Sequence, residues 1–325
     1  MNVIQLHHES IIFDGHCDTL LSLLNGKRKL ADRSSEGHID LPRLREGGVT
    51  AQVFAIFIED QYLPAAAARQ TLRLLDVLYR ELAENTDSLV LATTASDIKV
   101  AKRTNKVAVV VGIEGAESLE EDLALLRVFH RMGLRVLTLA WSRRNQAADG
   151  THEVRTGGGL SRFGLELVQE CNRLGIVIDI SHLAPAGVKD ALEASSQPVI
   201  ASHSNAHALC SHVRNLTDQQ LAAVAANGGV VGVTFVPEFL ADGGQGANLD
   251  TLLDHIAHIV QIAGIDHVGL GSDFDGFTSA PPTGLEDVAR LPTLSKALVR
   301  QGYADDHVRK ILGGNFMRIF KHVAG

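Results

Sequence analysis

Apolar residues along this chain gather in short, unbroken, β-branched runs, separated by longer stretches in which they recur at helical spacing. Eight runs stand out: Ile11–Asp14, Ala51–Phe57, Val107–Ile113, Arg135–Leu139, Ile176–Ile180, Pro198–Ala201, Val230–Phe235 and His267–Leu270. Runs without polar alternation suit strands covered on both faces, as in a parallel sheet. Between them, Ala65–Leu82 sets Leu72, Leu75, Leu78 and Leu82 near helical spacing, and Leu119–Met132, Phe163–Leu174, Ala184–Ala194, Asp218–Ala226 and Leu249–Ala263 read the same way. Gly133, Gly175 and Gly264 each follow a helical stretch, where a C-terminal glycine is expected, and Asp218 stands where a side chain can cap a helix. Eight strands alternating with helices predict an α/β fold of the closed (β/α)8 TIM-barrel type, with an open doubly wound sheet as the competing arrangement. No fixed-period repeat or Pro/Ser-rich linker interrupts the pattern, so residues 1–325 read as one domain. The segment Ala241–Gly246 is a loop, and the long connection after Asp273, through Pro281 and Pro282, is placed to shape a substrate site.

Composition narrows the function. A length of 325 residues fits one such barrel, and 45% apolar with 21% charged residues is ordinary for a globular chain. The formal charge of -8 and the lack of a long basic run argue against a nucleic-acid partner. The opening MNVIQLHHES has neither the basic nor the apolar part of a secretion leader, and no apolar stretch of about 18 residues occurs. The expectation is a soluble, cytoplasmic protein with no membrane partner. Cys17, Cys171 and Cys210 are widely spaced and form no CxxC pattern, so they read as free thiols.

The chemistry lies just beyond the runs. The first is followed by His16 and Asp18, the third by Glu114, the fifth by His182, the sixth by His203 and the eighth by Asp273. In a barrel the carboxyl ends of the strands converge on one mouth. Residues two apart on a strand share a side, so His16 and Asp18 can face the axis together while Cys17 turns away. Gly112, Gly269 and Gly271 share the inward parity of Glu114 and Asp273, and are expected to leave room for metal and substrate. Each feature has a plainer reading. A lone Glu after a strand is more often a helix cap, and Ser181-His182 and Ser202-His203 could be hydrogen-bonded loop histidines. The other twelve of the fifteen histidines read as surface or core residues. Jointly the pattern points to a metal site, because imidazoles and carboxylates brought that close need a cation or mutual pairing.

The segments DGHCD, VVVGIEGAESL, LTLAWSRRNQAADG, GLSRFGLELVQECNRLGIVIDISH, PVIASHSNAHALCSHVRN, HVGLGSDFDG and KILGGNFMRIF resemble, in that order, the membrane dipeptidase (renal dipeptidase, peptidase M19) family. The resemblance implies an amidohydrolase-type barrel with two divalent metal ions, zinc by family habit, although manganese and iron suit the same donors. It implies that His16 and Asp18 bind one ion, that Glu114 bridges both, and that His182 and His203 complete the second site. Asp273 would be the proton-transfer group beside an activated water, and Arg214 would hold the substrate carboxylate. The implied activity is hydrolysis of dipeptides, including those with a D-residue at the C-terminal position, and a homodimer is the implied assembly. One departure bears on substrate: the family usually carries a histidine at the position of Trp141, where it helps to bind substrate and to stabilise the oxyanion. His152 is nearby in sequence, but the sequence gives no geometric ground for choosing it as a substitute. Two alternatives follow from Trp141: a related hydrolase acting on a modified peptide or N-acyl compound, and a barrel that binds metal or ligand without catalysis.

Overall fold

The computed structural model describes residues 2–325. Nine strands form one all-parallel sheet: β1 (Phe13–Asp14), β2 (Ala51–Phe57), β3 (Leu89–Leu91), β4 (Val107–Glu114), β5 (Leu134–Thr138), β6 (Val177–Asp179), β7 (Ile200–Ala201), β8 (Val230–Val233) and β9 (Val268–Leu270). Eight of them close a ring, since β1 pairs with both β2 and β9 while β2 also pairs with β4. The eight runs read from the sequence are these eight strands, and the barrel, not the open sheet, is the fold. The ninth, β3, is the addition. It lies along the first half of β4, matching Leu89 to Val107 and Leu91 to Val109, on the side where β5 takes over from Val111 onward.

Helices cover the outside of the ring, with local chemistry that explains most of their ends. Asp218 is not the cap of its helix. Thr217 is, receiving the Gln220 N–H while the Gln220 side chain reaches back, a reciprocal capping box. The stretch from Leu119 to Met132 is not one helix either. A 3-10 turn ends at Leu119, Glu120 and Glu121 adopt positive φ, and the α-helix begins at Leu123 behind an Asp122 cap. Gly133, Gly175 and Gly264 take φ of 96°, 74° and 93°, as their places after helices required. The three cysteines are buried and unpaired.

The end of the barrel opposite the mouth is stoppered by the helix Asn315–Val323, which follows a single π-turn at Lys310–Gly314. Its Phe316 and Phe320 rings pack against Phe13, among Val53, Val136, Val177 and Ile200. Asn315 ties the helix down by donating to the carbonyls of Ile265 and Val268, at 2.8 and 2.7 Å. The room at the inward glycines is already taken. A Cβ on Gly269 would stand 2.5 Å from the Phe316 ring, one on Gly112 would stand 2.9 Å from Val53, and one on Gly271 would meet the Ser202 carbonyl at 1.7 Å. These glycines admit packing and close backbone approach, not metal or substrate.

Candidate metal centre

Strand register sets the floor of the mouth. Phe57, Glu114, Thr138 and Asp179 are cross-strand neighbours at one level of the sheet. Glu114 stands at that level, and just beyond it the turns after β1, β6, β7 and β9 carry the other ligand-type side chains. An isolated bridge between Cys17 and Phe274 prolongs β1 and β9, so that His16, Asp18 and Asp273 meet. His16 Nε2 lies 3.3 Å from Asp18 Oδ2, 3.7 Å from Glu114 Oε1 and 3.9 Å from Asp273 Oδ1. On the other side of Glu114, the same Oε1 lies 2.9 Å from His182 Nε2 and 3.6 Å from His203 Nε2, and the two imidazole nitrogens are 2.8 Å apart. The six residues expected at the mouth from the sequence are therefore all together, and all six are buried.

Holding them there costs backbone freedom. His182, Asp273 and the neighbouring Asp275 have φ of 70°, 61° and 68°, which side-chain-bearing residues adopt at a cost of about 1–3 kcal/mol each. Asp275 repays part of that by accepting hydrogen bonds from Thr19, Arg28 and the His38 N–H, which pin the segment before Leu41 to the turn. Gly276 is needed where it is, because a Cβ there would come within 2.3 Å of both the Asp18 and Asp273 carboxylates.

The electrostatics describe a site short of positive charge. Burial opposes charge on His16, yet Glu114, Asp18 and Asp273 outweigh it and raise its pKa to about 10. Burial, reinforced by Asp18 and Asp273, pushes the Glu114 carboxyl well above its usual range against the pull of His16. Asp273 rises to about 8, mainly through burial with Asp18 adding. His182 and His203 are held neutral, by burial first and by the nearby His16 and Arg214 charges second. A divalent cation in their midst would favour the ionised Glu114 and Asp273 carboxylates and the neutral His16 ring, and would suit His182 and His203, which are already held neutral. The donor geometry agrees. His16, Glu114 and His203 offer atoms within 4.8 Å of one another, as do His16, Asp18 and Asp273, and His16 Nε2 is buried with no hydrogen-bond partner. These residues fit a metal centre.

A cavity of about 390 Å³ opens above the cluster, walled by Trp141, His152, Arg214, Phe239 and Phe277 among others. Arg214 is buried in its side. One guanidinium nitrogen donates to the His203 carbonyl at 3.0 Å, the plane sits 5.5 Å from the Phe239 ring, and Nε has no partner.

The model of the family described as Membrane dipeptidase (Peptidase family M19) matches residues 1–325. The chain belongs to the membrane dipeptidase family. Among family relatives, it is 36% identical over 296 residues to a dipeptidase of Claviceps purpurea, covering 88% of this chain and 69% of that protein. It is 38% identical to an uncharacterised dipeptidase of Schizosaccharomyces pombe, covering 95% and 80%. Of solved structures, a dipeptidase described as an M19 metallopeptidase superposes with a TM-score of 0.91 at 34% identity, over 97% of this chain and 99% of that one. A Rhodobacter sphaeroides metallopeptidase bound to a phosphinate mimic of the dipeptide L-Ala-D-Ala gives 0.90 at 34% identity, with the same coverage. M19 dipeptidases are metal-dependent hydrolases, and this chain presents the residue groups for a metal.

Within this dipeptidase barrel, Trp141 does not stand alone. Its ring lies 5.2 Å from Phe57, 5.6 Å from His152 edge-on and 5.7 Å from His182, with the Arg143 guanidinium 5.1 Å above it. His152, which the sequence offered without geometric ground as a stand-in for the family histidine, lines the cavity, as does His212, read from sequence as an ordinary surface or core histidine. Two further residues escaped that reading, Asp14 and Asp179, buried below the ligands and hydrogen-bonded to the serines that neighbour them. The signal was present: a charged residue inside an otherwise apolar buried run demands partners. Among the described residues, no helix is long and apolar enough to cross a membrane.

Proposed function

We propose that this chain hydrolyses the amide bond of free dipeptides, accepting a D-residue at the C-terminal position, with two divalent ions held at the barrel mouth. The observation that carries the reading is the meeting of three imidazoles and three carboxylates around the unpartnered His16 Nε2, with the Arg214 guanidinium in the wall of the same cavity. His16 and Asp18 would hold one ion, His182 and His203 the other, and Glu114 would serve both. Imidazole and carboxylate donors favour zinc. Such ions, when bound, supply Lewis acidity that polarises the scissile carbonyl and makes water a better nucleophile.

The remaining work falls to the chain. Arg214 grips the terminal carboxylate with paired hydrogen bonds and so gates substrate length. Asp273, at the edge of the cluster, accepts the proton of the attacking water and returns it to the leaving amine. His152, which lines the same cavity as Trp141, would donate to the oxygen on which negative charge develops. The L-Ala-D-Ala mimic bound by the Rhodobacter relative supports acceptance of a D-residue at the C-terminal position. A second reading keeps this chemistry and changes the substrate: the Phe57–Trp141 wall favours an apolar group on the acyl side, as in an N-acyl or modified peptide.

The test is metal analysis of protein grown in metal-replete medium, paired with turnover of L-Ala-D-Ala, L-Ala-L-Ala and the same peptides blocked at either end. Two ions per chain, activity lost to a chelator and a requirement for a free carboxylate are expected. Metal-free protein with unchanged turnover would end the proposal, and preference for a blocked amino end would select the second reading. His152→Ala should lower kcat roughly 10²-fold at unchanged metal content.

A further inference from the structure

Asp179, at the end of β6, accepts four hydrogen bonds and is fully buried. The N–H groups of Ser181 and Ser202 converge on Oδ1 at 2.9 and 2.8 Å, and the hydroxyls of Thr138 and Ser202 on Oδ2 at 2.7 and 2.6 Å. Ser202 Oγ also lies 2.7 Å from His203 Nδ1. A hydroxyl has one proton to give. If that proton goes to the Asp179 carboxylate, Ser202 Oγ can only accept from His203, so Nδ1 carries the ring proton and Nε2 is a bare lone pair. That lone pair faces Glu114 and His182.

From this geometry we infer that Asp179 is a positioning residue that, through Ser202, fixes His203 in its Nδ1–H tautomer and so keeps Nε2 ready for a metal ion. The link to metal rests on the function proposed above; the tautomer does not. Asp14 builds a similar bracket at β1, accepting from the N–H and hydroxyl of Ser272 and from the His16 N–H, but there Ser272 Oγ accepts in turn from the Phe274 N–H, so the chain of hydrogen bonds ends on backbone. Only the β6 bracket continues into an imidazole ring.

Asp179→Asn sharpens the consequence. Two backbone N–H groups hold the amide oxygen at the Oδ1 position, so the NH2 must occupy the Oδ2 position and donate to Ser202. The serine proton then turns to His203 Nδ1, and the ring proton moves to Nε2, where it blocks the lone pair. Ser202→Ala merely frees the ring, so it should do less harm than Asp179→Asn, although it removes more of the network. Thr138→Val takes one donor from Asp179 and leaves the relay intact.

The experiment measures His203 tautomer by long-range 1H–15N correlation in metal-free, 15N-histidine-labelled protein, with His203→Gln for assignment, and Co2+ affinity by optical titration. Expected are the Nδ1–H form in the wild type and in Thr138→Val, the Nε2–H form in Asp179→Asn, and a mixture in Ser202→Ala. Co2+ binding should weaken roughly 10- to 100-fold in Asp179→Asn and less in Ser202→Ala. A folded Asp179→Asn protein with the wild-type tautomer would overturn the inference. If Asp179→Asn does not fold, an unshifted tautomer in Ser202→Ala, or a shifted one in Thr138→Val, overturns it instead. Correct tautomers with no Co2+ binding in the wild type would sink the proposed metal chemistry and leave the positioning role standing.

Discussion

Arg214 brings a full charge into a wall where burial lowers its pKa to about 10 despite the pull of Asp273 and Glu114. A cation kept there at that cost, with Nε unpartnered, is suited to a ligand carboxylate. A hydrogen bond to a charged group contributes about 1.5–3 kcal/mol. Arg214→Ala is therefore expected to lower kcat/KM for free dipeptides roughly 10- to 150-fold, mostly through KM, and to leave C-terminally amidated substrates unaffected. An equal loss on both, in steady-state assays, would place Arg214 outside substrate recognition. Glu114→Ala should go further and remove at least one ion per chain by elemental analysis, because its Oε1 lies within 4 Å of His16, His182 and His203 alike. The six mouth residues were legible in sequence because each is a ligand-type residue directly after an apolar run. His152 was named only for its nearness to Trp141, because it belongs to a 3-10 turn, Thr151–Thr156, and only the fold of the loop after β5 carries it into the cavity.

Elements show the same division. The barrel strands announce themselves because each is buried on both faces, whereas β3 is three residues long and only Leu89 is fully covered, so its pattern carries little signal. The helix Val3–Glu9 has a stronger dependence on its surroundings than its seven residues suggest. It is fastened through His7, whose Nδ1 meets Ser295 Oγ at 2.7 Å and whose Nε2 meets the Gly47 carbonyl at 3.0 Å. Nε2 must donate to that carbonyl, and because burial lowers the ring's pKa from 6.5 to about 4, at neutral pH the ring is uncharged and Nδ1 accepts from Ser295. The folded value is depressed, so this contribution is fully present above pH 6.5 and is lost as pH falls toward 4. It amounts to as much as about 3 kcal/mol. Denaturant unfolding at pH 7 and pH 4.5 should show a shallower loss of stability in His7→Gln than in the wild type; parallel losses would mean that the folded ring is not held neutral.

At the scale of the whole molecule, the mouth and the stopper share one set of strands. Gly15, Gly232 and Gly269 give Phe316 its place, and a Cβ on any of them would fall within 3.1 Å of that ring. Gly269→Ala should destabilise the protein by about 1–3 kcal/mol through overpacking, and Phe316→Ala by about 3–5 kcal/mol through the cavity it leaves. Joined with Phe316→Leu, Gly269→Ala should cost less than the sum of the separate changes, since the smaller side chain yields the space. Strict additivity of the melting data would show that the two sites do not touch. The stopper also bears on how the protein is made. A ribosome releases β9 and Asp273 some forty residues ahead of the helix that seals the barrel from below. Until Phe316 leaves the exit tunnel, the nascent cylinder is open at its base and its ligand-bearing turns have no rigid floor, so chains stalled before that point should be protease-sensitive and should gain resistance only once that last helix is free to dock.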